Sequence, residues 1–220
     1  MSSLDIPRGA KLAFIGESGS GKSTLLELLA MLLRPSASAR FEFCPAADGK
    51  RHDVSAIWKS DQPDALSDLR SRYIGYVLQY GGLLPYLNIR ENINLSRRLL
   101  RRETDGVAEH WAGRLDIAAQ LDKLPAELSV GQRQRVAIAR ALAHDPAVLI
   151  ADEPTASVDP LNAERIMALM VGLVDDLGAT LIVASHAHRL MEQAGLGLID
   201  HRIEATSARS MHVSVSSVAA

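Results

Sequence analysis

A chain of 220 residues is long enough for one α/β domain with its own core, perhaps with a subdomain inserted, and short for two independent nucleotide domains. Its 24 basic and 26 acidic residues leave a formal charge of -2, so nothing marks a nucleic-acid-binding surface and no nucleic acid partner is expected. The one cysteine, Cys44, excludes an intrachain disulfide; residues 1–5 lack a basic region followed by an apolar core; apolar stretches such as 147–151 fall far below the roughly 20 residues that span a bilayer. The expectation is a cytoplasmic protein, for which any membrane role needs a separate chain.

Residues 2–6 read as a strand and 7–9 as a turn, feeding a second strand at 11–15. Next comes Gly16-Glu17-Ser18-Gly19-Ser20-Gly21-Lys22-Ser23-Thr24, a full match to G-x-x-x-x-G-K-[ST]. Its glycines let the backbone fold tightly enough that successive N–H groups face an anionic phosphate chain. Lys22 can then reach the β- and γ-phosphates, and the Ser23 hydroxyl can serve as a ligand of Mg²⁺. The leucine-rich segment 25–33 is too long for a typical strand and predicts a helix beginning near Lys22. Phosphates would sit at its N-terminus, where orphan N–H groups and the helix dipole both favour negative charge.

Residues 34–38 break the pattern, 40–44 alternate as a short strand, and 46–50 form a turn. Trp58 reads as a packing aromatic beside the polar segment around Pro63. A strand at 72–78 ends on Gln79, and 83–87 is an apolar loop of exposed character. Helices at 88–100 and 107–120 begin a helical insert, with Trp111 as packing and Arg97, Arg98, Arg101 and Arg102 read as a solvated helix face rather than a lipid-headgroup patch. Ser129 caps an amphipathic helix through 142 that Pro146 stops. The apolar run 148–151 suits a parallel strand buried on both faces, and it delivers Asp152 and Glu153 to the strand's C-terminal end, where ligands bind in open α/β sheets. A helix at 162–177 ended by Gly178, a strand at 180–184 leaving through Ser185 and His186, and a terminal hairpin from Gly197 complete the chain.

These pieces converge on one chemistry. Asp152 is suited to hold Mg²⁺ through water, and Glu153 can point toward a γ-phosphate and orient or deprotonate an attacking water. At this point the sequence resembles the ATP-binding-cassette ATPases over essentially its whole length. Gly16 to Thr24 is similar to the family's Walker A loop; Gln79 stands at its Q-loop; Leu128 to Leu142 (LSVGQRQRVAIARAL) looks like the signature; Ala147 to Asp159 (AVLIADEPTASVD) looks like Walker B with the catalytic glutamate and D-loop; His186 matches the switch histidine.

The resemblance implies a P-loop NTPase of the α/β class, with a mostly parallel central sheet, a small antiparallel β region and an inserted α-helical subdomain. The expected division is a catalytic core at 1–79 and 146–205, a helical subdomain at 80–145 and a terminal strand or frayed tail at 206–220. It further implies ATP and Mg²⁺ as cofactors, with Ser23, Gln79 and Asp152 toward the metal. Glu153, His186 and Gln79 would be catalytic. Two such domains, as homodimer or heterodimer, would close head to tail, so that Ser129, Gly131 and Gln132 with Asp159 meet the nucleotide held at Lys22 of the other subunit.

Two departures stand out. Val130 replaces the first glycine of the usual LSGGQ; a β-branched residue there requires an ordinary backbone, which is the expectation, or else a weakened cross-site contact. No aromatic precedes Phe14, so either the adenine ring lacks its stacking platform or the natural protein begins further upstream. Segment 75–93 and the short insert after it look most like lipoprotein-release and macrolide-efflux type ATPase subunits, which drive a transmembrane permease. That implies a peripheral place at the cytoplasmic face of the inner (plasma) membrane. A soluble ATPase of this family acting apart from transport, and a regulatory subunit with little turnover, are the alternatives.

Overall fold

The structure, a computed structural model, describes residues 4–17, 19–36, 38, 40–45, 49–207 and 210–217, with side chains through 199. Its strands are β1 (Lys11–Ile15), β2 (Glu42–Phe43), β3 (His52–Asp53), β4 (Ile74–Val77), β5 (Val148–Asp152), β6 (Thr180–Ser185), β7 (Gly197–Ser207) and β8 (Ser210–Ser217). Its helices are α1 (Lys22–Leu29), α2 (Val54–Lys59), α3 (Pro63–Tyr73), α4 (Ile89–Leu99), α5 (Val107–Arg114), α6 (Val130–Leu142), α7 (Pro160–Leu177) and α8 (His188–Gln193). The main sheet has the order β4-β5-β6-β1-β7-β8, parallel between all neighbours except β7 and β8, while β2 and β3 pair antiparallel on their own.

The central strands are apolar almost throughout because both faces of the sheet are covered. Their alternation sorts side chains into two cores. Ala13, Leu149, Ala151, Leu181 and Val183 join Ile93 of α4, Trp111 of α5, Ile138 of α6 and Met170 of α7 on one face. Phe14, Ile150, Ile182 and Ala184 join Leu26 of α1, Trp58 of α2, and Leu66 and Leu69 of α3 on the other. Both tryptophans are thus packing residues, as expected.

Several boundaries differ from the sequence reading. Residues 4–6 are not in a strand, although a turn does follow at 8–9; residues 2 and 3, and 46–48 of the expected turn, lie outside the described residues. The predicted strand at 72–78 starts later, because α3 runs through Tyr73. That helix has proline at its first position and buries only Leu66 and Leu69, too thin a stripe to stand out in a polar segment. The helix expected at 107–120 ends at Arg114; Asp116 turns left-handed at φ 55°, and a 3₁₀ turn takes up 118–120. Leu115, Ile117 and Leu121 stay buried across the break, which is why the apolar pattern runs straight through it. The terminal hairpin forms as expected, with β8 antiparallel to β7.

The arginine group is solvated as expected at Arg98, Arg101 and Arg102, all exposed, with Arg97 half-buried, but two of its members also make long-range bonds. Arg97 Nη1 donates to Ala143 O and Asp145 Oδ2, both at 3.0 Å, and Arg102 Nη1 donates to His144 O at 2.6 Å. These bonds fasten the end of α4 and the turn after it to the segment that follows α6; Arg98 and Arg101 are exposed. The apolar loop at 83–87 is held from beneath by Asn92, a fully buried residue. Its Oδ1 accepts from Leu84 N at 2.8 Å, and its Nδ2 donates to the carbonyls of Leu84, Leu87 and Asn88. Removing such a buried amide would leave loop carbonyls unpaired, at about 1–3 kcal/mol for each unsatisfied group.

Candidate nucleotide site

Sheet register brings the candidate residues to one edge. Ile15 pairs with Ser185, Asp152 with Ala184, and Val77 with Ala151. Because these strands are parallel, the phosphate loop, Gln79, Asp152-Glu153 and His186 all emerge at the C-terminal edge of the sheet. Gly16 N donates to Ser185 O at 3.4 Å, tying the loop to the segment that carries His186.

Within the loop, Gly19 (φ 82°) and Gly21 (φ 83°) adopt left-handed backbone that L side chains rarely tolerate. Gly21 is the N-cap of α1, so the loop ends where the helix presents its free N–H groups. Lys22, 6% exposed, donates to Gly16 O at 2.7 Å and Glu17 O at 2.9 Å, and its Nζ lies 3.4 Å from Glu153 Oε1. The other Glu153 oxygen is 2.9 Å from His186 Nδ1. The catalytic-candidate carboxylate therefore bridges the buried ammonium and an exposed imidazole. Ser23 is exposed and Thr24 half-buried beside Lys22, Ser20 N donates to Glu17 O, and Ser18 lies outside the described residues.

Glu153 has an unusual backbone. Met31, Asp61, Arg101, Asp116 and Asp145 also have positive φ, but each of them follows a helix, where a left-handed residue is an ordinary terminator. Glu153, at φ 46°, follows a strand. Its N–H donates to Ala184 O at 2.9 Å and its carbonyl accepts from Ala156 N at 3.2 Å, so bonds on both sides hold the strained turn.

The donor set suits Mg²⁺. Asp152 Oδ1 is buried and finds no hydrogen-bond partner among the described residues, leaving a hard oxygen available to a cation. Ser23 supplies a hydroxyl and Gln79, half-buried two residues beyond β4, an amide oxygen. No group of three or more His, Cys, Asp or Glu forms a metal cage among the described residues. Tyr76, which the sequence reading passed over, sits in this neighbourhood; burial first, then the Asp152 and Glu27 carboxylates, pushes its hydroxyl well above the ordinary tyrosine range.

Ser129 and Asp159 gather elsewhere. Ser129 is the N-cap of α6: its Oγ accepts from Gln132 N at 3.3 Å, and Gln132 Oε1 accepts from Ser129 N at 2.9 Å. Asp159 caps α7, accepting from Asn162 N at 3.1 Å and Asn162 Nδ2 at 2.6 Å; these bonds, the side-chain one first, hold its carboxyl below the usual range. The two helix N-termini open onto one cavity of about 410 Å³, which also includes Val130, Gly131, Gln132 and Arg135. No described phosphate-loop residue lines it. Val130 is absent from the residues with positive φ, so the ordinary backbone expected for a valine is what the helix start provides. Arg135, unmarked in the sequence reading, faces this cavity one turn beyond Gln132.

Comparison with known proteins gives the family. The ABC transporter family pattern matches residues 1–156. The lipoprotein-releasing system ATP-binding protein LolD of Francisella tularensis subsp. tularensis (strain FSC 198) is 34% identical over 207 residues, 91% of this chain and 85% of its own. The uncharacterized ABC transporter ATP-binding protein YbbA of Escherichia coli (strain K12) is 38% identical over 190 residues, 83% of this chain and 77% of its own. The dimeric structure of a post-hydrolysis state of the ATP-binding cassette MJ0796, bound to ADP and Pi, superposes with a TM-score of 0.74 at 31% identity, covering 90% of this chain and 84% of that one. The chain belongs to the ABC transporter family: it is an ATP-hydrolysing cassette, similar in sequence to ATP-binding subunits of the lipoprotein-release type.

Proposed function

We propose that this chain is the ATP-binding and hydrolysing subunit of a transporter, that it closes head to tail with a second cassette around two ATP, and that closure drives a separate permease at the cytoplasmic face of the inner membrane. The observation that carries this is the division of the site: Lys22 and His186 each meet Glu153 at the sheet edge, while Ser129 and Asp159 line an open cavity without any described phosphate-loop residue.

In this reading the phosphate loop and Lys22 bind the triphosphate, and residues 16–24 act as one cradle at the N-terminus of α1. Glu153 accepts a proton from, or orients, the attacking water; His186 holds Glu153 and polarises the γ-phosphate; Gln79 links the metal side to the helices that follow. Bound Mg²⁺, held by Ser23, Gln79 and Asp152, supplies charge neutralisation at the phosphates. Ser129, Gly131, Gln132 and Asp159 address the other subunit's nucleotide. Residues 1–79 and 146–205 form the catalytic core in this scheme, with 80–145 the helical subdomain. Tyr80 and Tyr86, 81% and 73% exposed, with the loop at 83–87 pinned by Asn92, fit a permease groove.

A mixing experiment tests the shared site. Lys22→Ala and Ser129→Arg chains should each be inactive alone. Mixed, they should regain hydrolysis, because one interface then combines an intact Lys22 with an intact Ser129. No recovery on mixing, with heterodimers demonstrated, would place both residues in one subunit's site. Co-purification with a polytopic membrane protein tests the permease, and a chain that hydrolyses ATP but never co-purifies with one would favour the soluble reading.

A further inference from the structure

Three glycines on and after β4 turn toward α6. A Cβ on Gly75 would come within 2.2 Å of Ala141 O, one on Gly81 would touch Arg133 O and Ala137 Cβ, and one on Gly82 would meet Leu78 Cδ1 at 2.6 Å first and lie 3.7 Å from Arg140 Nη2. Residues 133, 137 and 140 fall at i, i+4 and i+7, a single helix face. At the end of that face the Arg140 guanidinium forks: Nη2 donates to Gly81 O and Nη1 to Gly82 O, both at 2.8 Å. Consecutive positive φ at Gly81 (75°) and Gly82 (58°) is the backbone that presents these two carbonyls. No carboxylate pairs with Arg140 among the described residues, and α4 joins the same point through Ser96 Oγ on Arg140 O at 3.4 Å.

These contacts join two parts of the proposed mechanism. Gly81 N donates to Leu78 O at 2.9 Å, so Gln79 lies inside the tight turn that Arg140 grips. Ser129 caps the same helix eleven residues earlier, about 16 Å away along a rigid axis. We propose that Arg140 is a positioning residue for ATP hydrolysis: it fastens the Gln79 loop to the helix that presents Ser129, so that displacement at one moves the other. The inference rests on the roles proposed above for Gln79 and Ser129 and adds the part that couples them.

A planar fork matters here because a lysine offers one ammonium and cannot serve both carbonyls with fixed geometry. The test is a double-mutant cycle of Gln79→Ala and Ser129→Ala on kcat, run with Arg140 present, with Arg140→Met and with Arg140→Lys. With Arg140 the two changes should be strongly non-additive, the double variant losing little more than either single one. Arg140→Met should lower kcat about tenfold and make the two effects multiply, with ATP binding by the monomer unchanged within about twofold. Arg140→Lys should be intermediate, and it carries the test if the Met variant does not fold. A merely structural role would lower the active fraction of every variant equally and leave the coupling as it was. Coupling that survives both substitutions overturns the inference while the roles of Gln79 and Ser129 stand. If Gln79→Ala alone leaves kcat unchanged, the role proposed for Gln79 falls, and this inference with it.

Discussion

At the C-terminal edge of the sheet, Lys22 is 6% exposed and already surrounded by Gly16 O, Glu17 O and Glu153; at the N-termini of α6 and α7, Ser129 and Asp159 stand exposed with only their own helices to bind. The first region is built by register. A parallel ladder fixes Asp152 beside Ala184 and Ser185 beside Ile15, and sliding one strand by a residue would turn its whole apolar set over. The second is built by capping, in which side chains satisfy some of the free amides and leave a modest positive potential. A helix terminus contributes about 0.3–1 kcal/mol to an exposed charge. That is too little to capture a nucleotide, but it can discriminate between states of one already held. Under the proposed function the first region is the binding half, the second the sensing half, and hydrolysis needs both.

The most severe way to break this division is at Glu153. Glu153→Gln keeps the shape beside Lys22 and His186 but removes the base, so hydrolysis should fall by about 10²–10⁴-fold while Mg-ATP still binds. ATP-bound dimers should accumulate on light scattering. Monomers at saturating Mg-ATP, or a rate loss well under tenfold, would take the base role away from this residue.

Next in size is the contrast between the halves themselves. Lys22→Ala removes a charged donor and should weaken ATP binding by the monomer by about one to two decades. Ser129→Arg puts bulk and charge into the open cavity and should leave monomer affinity within about twofold while blocking ATP-driven dimerisation. Titration with a fluorescent nucleotide and light scattering read the two effects separately. Equal loss of monomer affinity in both variants would end the distinction.

How legible each half was in the sequence follows from the same contrast. The binding half announces itself because phosphate recognition by backbone demands glycine at Gly19 and Gly21, and because strands buried on both faces, such as β5 and β6, read as unbroken apolar runs. The cap at Ser129 was equally plain, and the structure adds Gln132 as the second half of its capping box and a further box, Asn88 with Glu91, at the start of α4. Long-range polar ties were not legible. Nothing local says that Arg97 and Arg102 reach the carbonyls of residues 143 and 144, or that Arg140 grips residues 81 and 82, because a guanidinium on a helix has the same local pattern whether it meets water or a distant carbonyl. The short helices α2, α3 and α8 were hidden for another reason: each buries too few side chains to impose a period.

His144 sharpens the comparison from the far end of α6. It is 2% exposed, and neither ring nitrogen has a hydrogen-bond partner among the described residues, although the nearby Ile74 backbone favours the charged form. Burial pushes the imidazole down to about 4, with Arg102 and Arg97 adding to it and Asp145 opposing. Since the folded value lies below the unfolded one, the contribution is complete above about 6.5 and is lost as pH falls toward 4. The full loss is about 3 kcal/mol, of which about 2 kcal/mol is gone by pH 5. Urea unfolding at pH 7 and pH 5 should show this in the native chain and not in His144→Gln. A pH difference of the same size in both proteins would assign it to other groups.

The smallest effect concerns Val130, at the boundary of the sensing half. It occupies the first turn of α6 with ordinary helical backbone, is 44% exposed, and lines the cavity beside Ser129. Restoring glycine therefore relieves no strain; it adds backbone entropy to the unfolded chain and should destabilise by less than about 1 kcal/mol, the cost known for helix interiors. Its effect on hydrolysis should stay within about threefold, since the Ser129 hydroxyl and the amides of Gly131 and Gln132 are fixed by the capping box rather than by residue 130. Unfolding midpoints and steady-state rates of Val130→Gly decide the matter. A gain near tenfold, worth about 1.4 kcal/mol, would mean that the two methyl groups obstruct approach of the partner's nucleotide, and that the sensing half of this cassette is held partly closed by its own side chain.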